Sequence, residues 1–223
     1  MKEHPKAIFS RRLQPDSKVI DVGCWQYTYY NFCRDNGLPN FKHYGFDYQL
    51  PDIPPPENYK FFIADAAKGL PIKSNFFDAV IGSHVYEHVP DGLSLVNEIF
   101  RILRPGGLLY FESPSERSLW FPSMPFKFEK FHSTNFLDDP THIGRPLSPQ
   151  GLYRLFRMFD GEIIEVDYIQ SKMSRIRFPF QLALAMFRKD PAKLEASVWN
   201  AWGFSVYGIV RKKTSSTMRY AIR

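Results

Sequence analysis

Three aspartates end three successive apolar stretches of the sequence. Asp21 follows Lys-Val-Ile, Asp47 follows His-Tyr-Gly-Phe, and Asp65 follows Phe-Phe-Ile-Ala. In open α/β sheets, ligands bind at the carboxyl ends of such strands. A carboxylate about twenty residues after the first strand's glycine turn can accept hydrogen bonds from both ribose hydroxyls, and Asp47 fits this role. Asp65 could accept from an amino group such as that of adenine. Any one of them could simply cap a turn, but together they predict a nucleoside site.

The turn after the first of these stretches contains a single glycine. Gly23 is followed by Cys24, Trp25, Gln26 and Tyr27, whereas a pyrophosphate-binding turn has three glycines so that the phosphates can approach the backbone. A pyrophosphate cofactor is therefore not expected. A ligand with an adenosine but no phosphate makes weaker demands on this turn.

The elements that position these residues follow from the alternation of apolar and amphipathic segments. Short apolar runs alternate with helical patterns, such as Val96, Ile99 and Phe100, which Asp91 can cap. This alternation predicts an α/β fold, a doubly wound and mostly parallel sheet with helices on both faces. The predicted strands are 18–23, 43–47, 60–65, 76–83, 108–112, 162–169 and 204–211, and helices are predicted at 26–36, at 91–105 and from residue 148 onward.

Composition indicates one globular domain. The chain has 223 residues, of which 44% are hydrophobic and 23% charged, as is ordinary for globular proteins. Cys24 and Cys33 fit neither a metal pattern nor a disulfide framework, and no stretch is apolar for long enough to be a membrane-spanning helix. We therefore expect a cytoplasmic protein without a metal site. The net charge of +6 is spread out, with its densest cluster at 211–213, so nucleic acid is an unlikely partner.

Six motifs together resemble the class I S-adenosylmethionine-dependent methyltransferases. They lie within residues 17–115 in the family's order and read Val-Ile-Asp-Val-Gly-Cys at 19–24, Tyr-Gly-Phe-Asp at 44–47, Ala-Asp-Ala at 64–66, Leu-Pro-Ile-Lys-Ser-Asn-Phe-Phe-Asp at 70–78, Ser-His-Val-Tyr-Glu-His-Val at 83–89 and Leu-Arg-Pro-Gly-Gly at 103–107. The resemblance implies a Rossmann-like sheet of seven strands, S-adenosylmethionine as cofactor, and methyl transfer by in-line displacement.

The resemblance also implies a cofactor site at the carboxyl ends of the first four strands. The methionine part would lie at the first turn, the ribose at the second strand, the adenine at the third, and the sulfonium would face the fourth. The cofactor-binding residues expected on this basis are Asp21, Gly23, Trp25, Asp47, Tyr48, Asp65, Ala66, Ser83 and His84.

The sequence departs from the family at two glycines of the first turn. The family's second and third glycines are Trp25 and Tyr27 here. Either the turn is reshaped and Trp25 contacts the cofactor, or the chain is a degenerate member with impaired binding.

The segment after the fifth strand carries the candidate acceptor groups. Residues 116–147 are aromatic and contain Asp-Asp-Pro-Thr-His, and so long a connector in a compact domain is typically a lid or binding loop. A hydroxyl acceptor needs a base to take its proton, and His142 and His132 are the candidates. The candidate substrate-binding residues are Tyr86, Asp139 and Arg145.

The same segment resembles methyltransferases of surface-polysaccharide biosynthesis. The fourth strand ends in Ser-His-Val-Tyr at 83–86 rather than in the Asn/Asp-Pro-Pro-aromatic motif of the nucleobase- and glutamine-methylating enzymes of this fold. The expected acceptor is therefore a small molecule or saccharide, through a hydroxyl. Two alternatives stay open: a catalytically silent cofactor-binding or scaffold protein, because of Trp25 and Tyr27, and a nucleic-acid-modifying methyltransferase, because of the positive charge.

We therefore predict one methyltransferase domain over residues 1–223. Its parts are a cofactor-binding core at 17–115, a lid or acceptor loop at 116–147, and the C-terminal part of the sheet at 148–213 with an insertion at 172–200. Inside the insertion, the apolar run 178–187 is flanked by basic residues. It is favoured as core or lid, and the alternative is a peripheral patch on an anionic membrane. The sequence gives no prediction of oligomeric state.

Overall fold

The computed structural model describes residues 3–125 and 132–214, which contain one seven-stranded sheet. The strands are β1 (Lys18–Val22), β2 (Lys42–Asp47), β3 (Lys60–Ile63), β4 (Phe77–Ser83), β5 (Leu103–Pro114), β6 (Gly161–Tyr168) and β7 (Ser205–Lys212), and the helices are α1 (Pro5–Ser10), α2 (Thr28–Asp35), α3 (Gly92–Ile102), α4 (Pro149–Met158), α5 (Lys172–Arg188) and α6 (Pro191–Trp202). The order in the sheet is β3-β2-β1-β4-β5-β7-β6. Only β7 is antiparallel to its neighbours within this described sheet.

Helices cover both faces of the sheet because its strands are apolar on both sides. On one face, α3 and α4 contribute Leu95, Ile99 and Phe156 to a buried cluster. On the other face, α1 and α2 contribute Phe9 and Tyr29. This arrangement confirms the predicted doubly wound fold class. The prediction was possible because strands that are buried on both faces form continuous apolar runs in the sequence.

Several predicted boundaries are wrong by two residues or more, among them the end of α3 at Ile102 and the end of β3 at Ile63, and two others have a clear structural cause. Helix α2 starts at Thr28 instead of residue 26, because Gln26 and Tyr27 have φ values of 50° and 62°, in the left-handed region. Strand β5 starts at Leu103 instead of residue 108. Leu103 pairs with Phe77 of β4, and an irregularity in the register absorbs the residues before Leu108. The Pro-Gly-Gly sequence therefore belongs to the strand rather than to a turn.

The described residues between β5 and α4 have little regular structure. It contains two short 3-10 turns, Glu116–Leu119 and Phe136–Asp138. Residues 126–131 of the predicted lid lie outside the described residues. A capping box between Asn135 and Asp138 fixes the second turn.

The predicted insertion forms the helix pair α5 and α6. The two helices pack through Ala185 of α5 and Leu194 and Val198 of α6. Most of the remaining surface of α5 is exposed, including Phe180 and Phe187, so the interpretation of residues 178–187 as core is wrong for these side chains. No helix of the described residues is long and apolar enough to cross a bilayer.

Candidate functional site

The carboxyl ends of β1, β2, β4 and β5 meet at one edge of the sheet. There Asp47 holds two turns together, because its carboxylate accepts hydrogen bonds from the backbone N–H of Trp25 at 3.1 Å and of Tyr48 at 2.8 Å. The N–H groups of Gly23 and Cys24 donate to the carbonyl of Phe46, both at 3.0 Å. The turn after β1 is thus fixed to the end of β2.

The turn after β1 keeps a glycine-like backbone although it has only one glycine. Tyr27 adopts the left-handed conformation that a glycine would adopt without strain. Its ring is buried beside Cys24 and Tyr59, and its hydroxyl donates to the carbonyl of Ile53 at 3.2 Å. Burial of this side chain thus compensates for the unfavourable backbone, and the residue that departs from the family anchors the turn.

The same edge carries the one glycine of the turn and two exposed aromatic rings. Gly23 has a φ of 67°, and a Cβ at this position would lie 2.9 Å from Cγ2 of Val85, so only glycine lets the chain pass here. The side chains of Trp25 and Tyr48, whose backbone N–H groups bond to the Asp47 carboxylate, are exposed. Their rings are therefore available to pack against a ligand held by that carboxylate.

Asp21 is buried beneath this turn. Its carboxylate accepts a hydrogen bond from the backbone N–H of Tyr29 at 3.3 Å. Burial raises the pKa of Asp21 to about 7, against the opposing effects of the Lys6 charge and of that N–H. The sequence predicts this residue at the cofactor; in the structure its side chain is buried and bonded to the start of α2, and its role at the cofactor stays a prediction.

Asp21→Asn is expected to weaken the dependence of stability on pH between about pH 4 and pH 7. With a pKa of about 7 in the folded state against an ordinary value of 3.8, the wild-type carboxyl holds a proton that the unfolded chain releases. The free energy of unfolding therefore falls by a few kcal/mol as pH rises through this interval. Urea unfolding at several pH values measures the slope. The exposed Asp35→Asn is the control, and equal slopes for wild type and Asp21→Asn would contradict the assignment.

Asp65 and Ala66 lie in the turn after β3. The Asp65 carboxylate is 3.3 Å from Nζ of Lys68 and partly exposed, while Ala66 is buried. Because β3 pairs in parallel with β2, opposite Asp47, this turn lies next to the end of β2. Its position agrees with the predicted adenine site but does not test it.

A buried ionic network occupies the ends of β4 and β5. His84 lies between two carboxylates, with Nδ1 3.0 Å from Glu87 and Nε2 3.2 Å from Glu112. Lys6 donates to the Ser83 hydroxyl at 3.0 Å and lies 3.4 Å from Glu112. The ends of the two strands are therefore joined by alternating positive and negative side chains.

The network fixes the charge of its members. Burial opposes the charged form of His84, but its hydrogen bonds to Glu112 and Glu87 raise the pKa to about 10. Burial likewise opposes ionisation of Glu112, but Lys6 and His84 hold its pKa well below the usual range. At neutral pH, His84 is consequently a cation, and it is unsuited to accept a proton.

An open cavity of about 200 Å³ adjoins this network. The ends of β5 and β7 contribute Glu112 and Ser205 to its wall, and α6 contributes Glu195, Trp199 and Asn200. The Trp199 ring stacks on His84 at 5.3 Å between ring centroids. The cavity therefore combines one aromatic wall with several hydrogen-bonding side chains.

His132 is not part of the cavity wall, but it is bonded to Glu195, which is. Its Nδ1 is 3.0 Å from a Glu195 oxygen, and the other oxygen accepts from the backbone N–H of Ser133 at 2.8 Å. The indole of Trp199 donates to the Ser133 carbonyl at 2.8 Å. Nε2 of His132 has no hydrogen-bond partner among residues 3–125 and 132–214. An imidazole held in this way has one ring nitrogen available to accept a proton.

His142 occupies a different environment. Its Nδ1 lies 2.7 Å from the Phe136 carbonyl, and its Nε2 lies 3.7 Å from Asp139. Its ring is tilted against His88 at 4.9 Å, and the backbone N–H groups of residues 143 and 144 donate to the Glu87 carbonyl. The structure thus places the two predicted bases in separate surroundings. His142 and the two residues after it attach the acceptor loop to the turn after β4.

The predicted substrate-binding residues are not brought together around the cavity. Tyr86 is buried, with its ring against Phe111. Asp139 accepts hydrogen bonds from Thr141, and Arg145 is exposed. Their roles stay predictions.

Several residues of the site were missed from the sequence. The reasoning that identified the aspartates at strand ends also applies to Glu112, near the end of β5. In contrast, Lys6, Glu195 and Trp199 lie far from the motifs, and no sequence signal marked them.

Comparisons with known proteins agree with this geometry. A family model described as a methyltransferase domain matches residues 3–166. Over 111 residues, the chain is 30% identical to the sterol 24-C-methyltransferase erg6 of Schizosaccharomyces pombe. The matched region covers 43% of this chain and 27% of that protein. The chain therefore spans less than a third of that relative's length.

Solved structures share the fold over nearly the whole chain. The protein bound to the Trm112 methyltransferase activator of Haloferax volcanii superposes with a TM-score of 0.69 at 17% identity, covering 94% of this chain and 88% of that one. A SAM-dependent methyltransferase from Archaeoglobus fulgidus superposes with a TM-score of 0.61 at 19% identity, covering 93% of both chains.

Proposed function

This chain belongs to the methyltransferase-domain family, and we propose that it uses S-adenosylmethionine as methyl donor and methylates a hydroxyl group of a small-molecule or saccharide acceptor. The observation that carries the choice of acceptor is the cavity beside His132 and Glu195. Its wall has an aromatic ring and polar side chains, the combination that binds a ring bearing hydroxyl groups. Its volume of about 200 Å³ is below that of sites for drug-sized ligands and suits one small ring.

The chain's own residues have defined tasks in this proposal. S-adenosylmethionine supplies a methyl group that its sulfonium already activates, so the protein has to align the acceptor and exclude water. Glu195 orients His132 through Nδ1, and Nε2 takes the proton of the acceptor hydroxyl as the oxygen attacks. His84 stays protonated between Glu87 and Glu112, so it holds the ends of β4 and β5 in place.

The proposed cofactor site uses the edge formed by the first four strands. Asp47 binds the ribose, and Asp21 acts through the turn that it supports. Exposed Trp25 and Tyr48 pack against the cofactor. The other residues proposed for this site are Gly23, Asp65, Ala66, Ser83 and His84.

Asp47→Ala is expected to weaken S-adenosylmethionine binding about 5- to 150-fold. The change removes the carboxylate that would accept from the ribose, a loss of about 1 to 3 kcal/mol. Calorimetric titration with S-adenosylmethionine and S-adenosylhomocysteine measures it. The control is Asp35→Ala on the exposed end of α2. An unchanged affinity in a folded Asp47→Ala protein would contradict the ribose assignment.

The proposed acceptor class is tested by measuring release of S-adenosylhomocysteine with nucleotide sugars, free saccharides and small phenols. Turnover on a hydroxyl-bearing acceptor supports the proposal. Tight binding of S-adenosylmethionine without turnover on any of them favours the catalytically silent alternative. Methylation of RNA or DNA, with the salt dependence of phosphate contacts, favours the nucleic-acid alternative.

A further inference from the structure

Helix α5 carries an apolar stripe with no partner among the described residues. The stripe consists of Met173, Ile176, Phe180 and Phe187, whose spacings of three, four and seven residues place them on one face. Their exposed fractions are 47%, 75%, 73% and 88%. The stripe extends for roughly 20 Å along the helix, at 1.5 Å per residue.

The charges around the stripe all have one sign. Helix α5 contains Lys172, Arg175, Arg177 and Arg188 and no acidic residue, and Lys189 follows directly. Arg175 is occupied, since it donates to the Ala201 carbonyl and lies over the Trp202 ring. Arg177 and Arg188 form no ion pair with any residue in the described part of the chain. An apolar face flanked by free cations is complementary to an anionic lipid surface.

The opposite side of α5 shows why the stripe is not simply a loosely packed core. Ala185 is buried against α6, and Phe178 and Leu182 pack beside it with Phe121. The helix is therefore already fixed to the protein by its other face. Trp120, next to Phe121, is exposed as well, and tryptophan is enriched where a membrane meets water.

We propose that α5 is a membrane-docking helix that lies flat on an anionic bilayer through this stripe. With 17 residues and four positive charges, α5 is suited to lie at the interface rather than to cross the membrane. The next helix, α6, lines the cavity. Because α5 packs on α6 through its other face, docking through the stripe leaves α6 on the side of α5 away from the bilayer.

The test is co-sedimentation of the full chain with vesicles of phosphatidylcholine alone or mixed with phosphatidylglycerol. Wild type is expected to bind the anionic vesicles, more weakly as salt rises, and to bind phosphatidylcholine far less. The double variant Phe180→Ser with Phe187→Ser is expected to lose about 10- to 100-fold in partitioning. Its matched control is Leu50→Ser with Leu137→Ser, two exposed leucines outside the insertion, which is expected to bind like wild type.

The charge contribution has its own pair of variants. Arg177→Gln with Arg188→Gln is expected to lower binding to the anionic vesicles about fivefold per arginine. The control Arg34→Gln with Lys73→Gln removes the same net charge elsewhere on the surface and is expected to have a much smaller effect. Equal losses in the two variants would show that net charge, rather than α5, directs binding, and would overturn the proposal.

Two further results would overturn it. One is the absence of binding to the anionic vesicles at low salt. The other is a wild-type protein that binds no vesicles but forms a dimer, measured by light scattering, which the Phe180 and Phe187 changes abolish. The stripe would then be an interface with a second copy of the chain. Vesicle binding is measured without a methyl acceptor, so its outcome is independent of the proposed activity.

Discussion

His132→Gln is expected to lower kcat about 100- to 10,000-fold while leaving S-adenosylmethionine binding within a fewfold of wild type. In the proposed mechanism, His132 takes the proton of the acceptor hydroxyl, and positioned bases contribute rate factors of this size. Glutamine retains a side chain of similar length but cannot accept that proton. Steady-state kinetics on the acceptor found in the screen measures kcat, and calorimetry measures cofactor binding.

Two further variants separate this role from a structural one. Glu195→Gln keeps an oxygen for the Ser133 N–H but removes the charge that orients His132, so a smaller loss, about tenfold or more, is expected. His142→Gln is expected to change kcat less than His132→Gln, because the His142 ring contacts the Phe136 carbonyl and Asp139 away from the cavity. A large loss in His142→Gln with near-normal turnover in His132→Gln would reverse the assignment.

His84→Gln is expected to lower the free energy of unfolding by about 3 to 5 kcal/mol near neutral pH. It removes the cation between Glu87 and Glu112, so that the buried Glu87 carboxylate loses its cationic partner and, among the described residues, Glu112 keeps only Lys6. Breaking a buried ion pair in this way has a cost of this size. Chemical denaturation followed by circular dichroism measures the difference.

The pH dependence identifies the cause of the loss. The pKa of His84 is about 10 in the folded protein against an ordinary value of 6.5, so its stabilisation is complete below pH 6.5 and is lost as pH rises towards 10. The difference between wild type and His84→Gln should therefore shrink over that interval. The control is His88→Gln on the same turn, where the ring contacts Thr141 instead of a carboxylate. A difference that is constant from pH 6.5 to pH 10 would contradict the ionic explanation.

The sheet edge proposed as the cofactor site could be predicted from local sequence, because its residues lie at the carboxyl ends of strands. A buried parallel strand is an apolar run whatever it packs against, and the acidic residue and glycine that follow it are adjacent in the chain. The positions of Asp21 and Asp47 at one edge therefore follow from the order of the elements. The left-handed backbone of Tyr27 was not predictable, because it depends on a buried contact with Tyr59, 32 positions further on.

The candidate acceptor site was predictable only in part. Both histidines were identified as candidates, but their rank was not, because the partner of His132 is Glu195, 63 residues away. The same holds for His84, whose charge depends on Glu112 and, through it, on Lys6. Pairings between distant residues depend on how helices and loops pack on the sheet. The sequence around each partner does not predict them.

The sequence by itself determined the fold class, since hydrophobic periodicity and the turns at strand ends are local properties. Its motifs also indicated the methyltransferase family, through their resemblance to it, and the edge of the sheet where the proposed cofactor-binding residues lie. Tertiary structure alone decided which histidine adjoins a cavity, which histidine is held as a cation, and that the apolar face of α5 is exposed rather than buried. An apolar run has the same sequence pattern whether protein or solvent lies beside it, because burial is a property of the neighbours that folding brings to it.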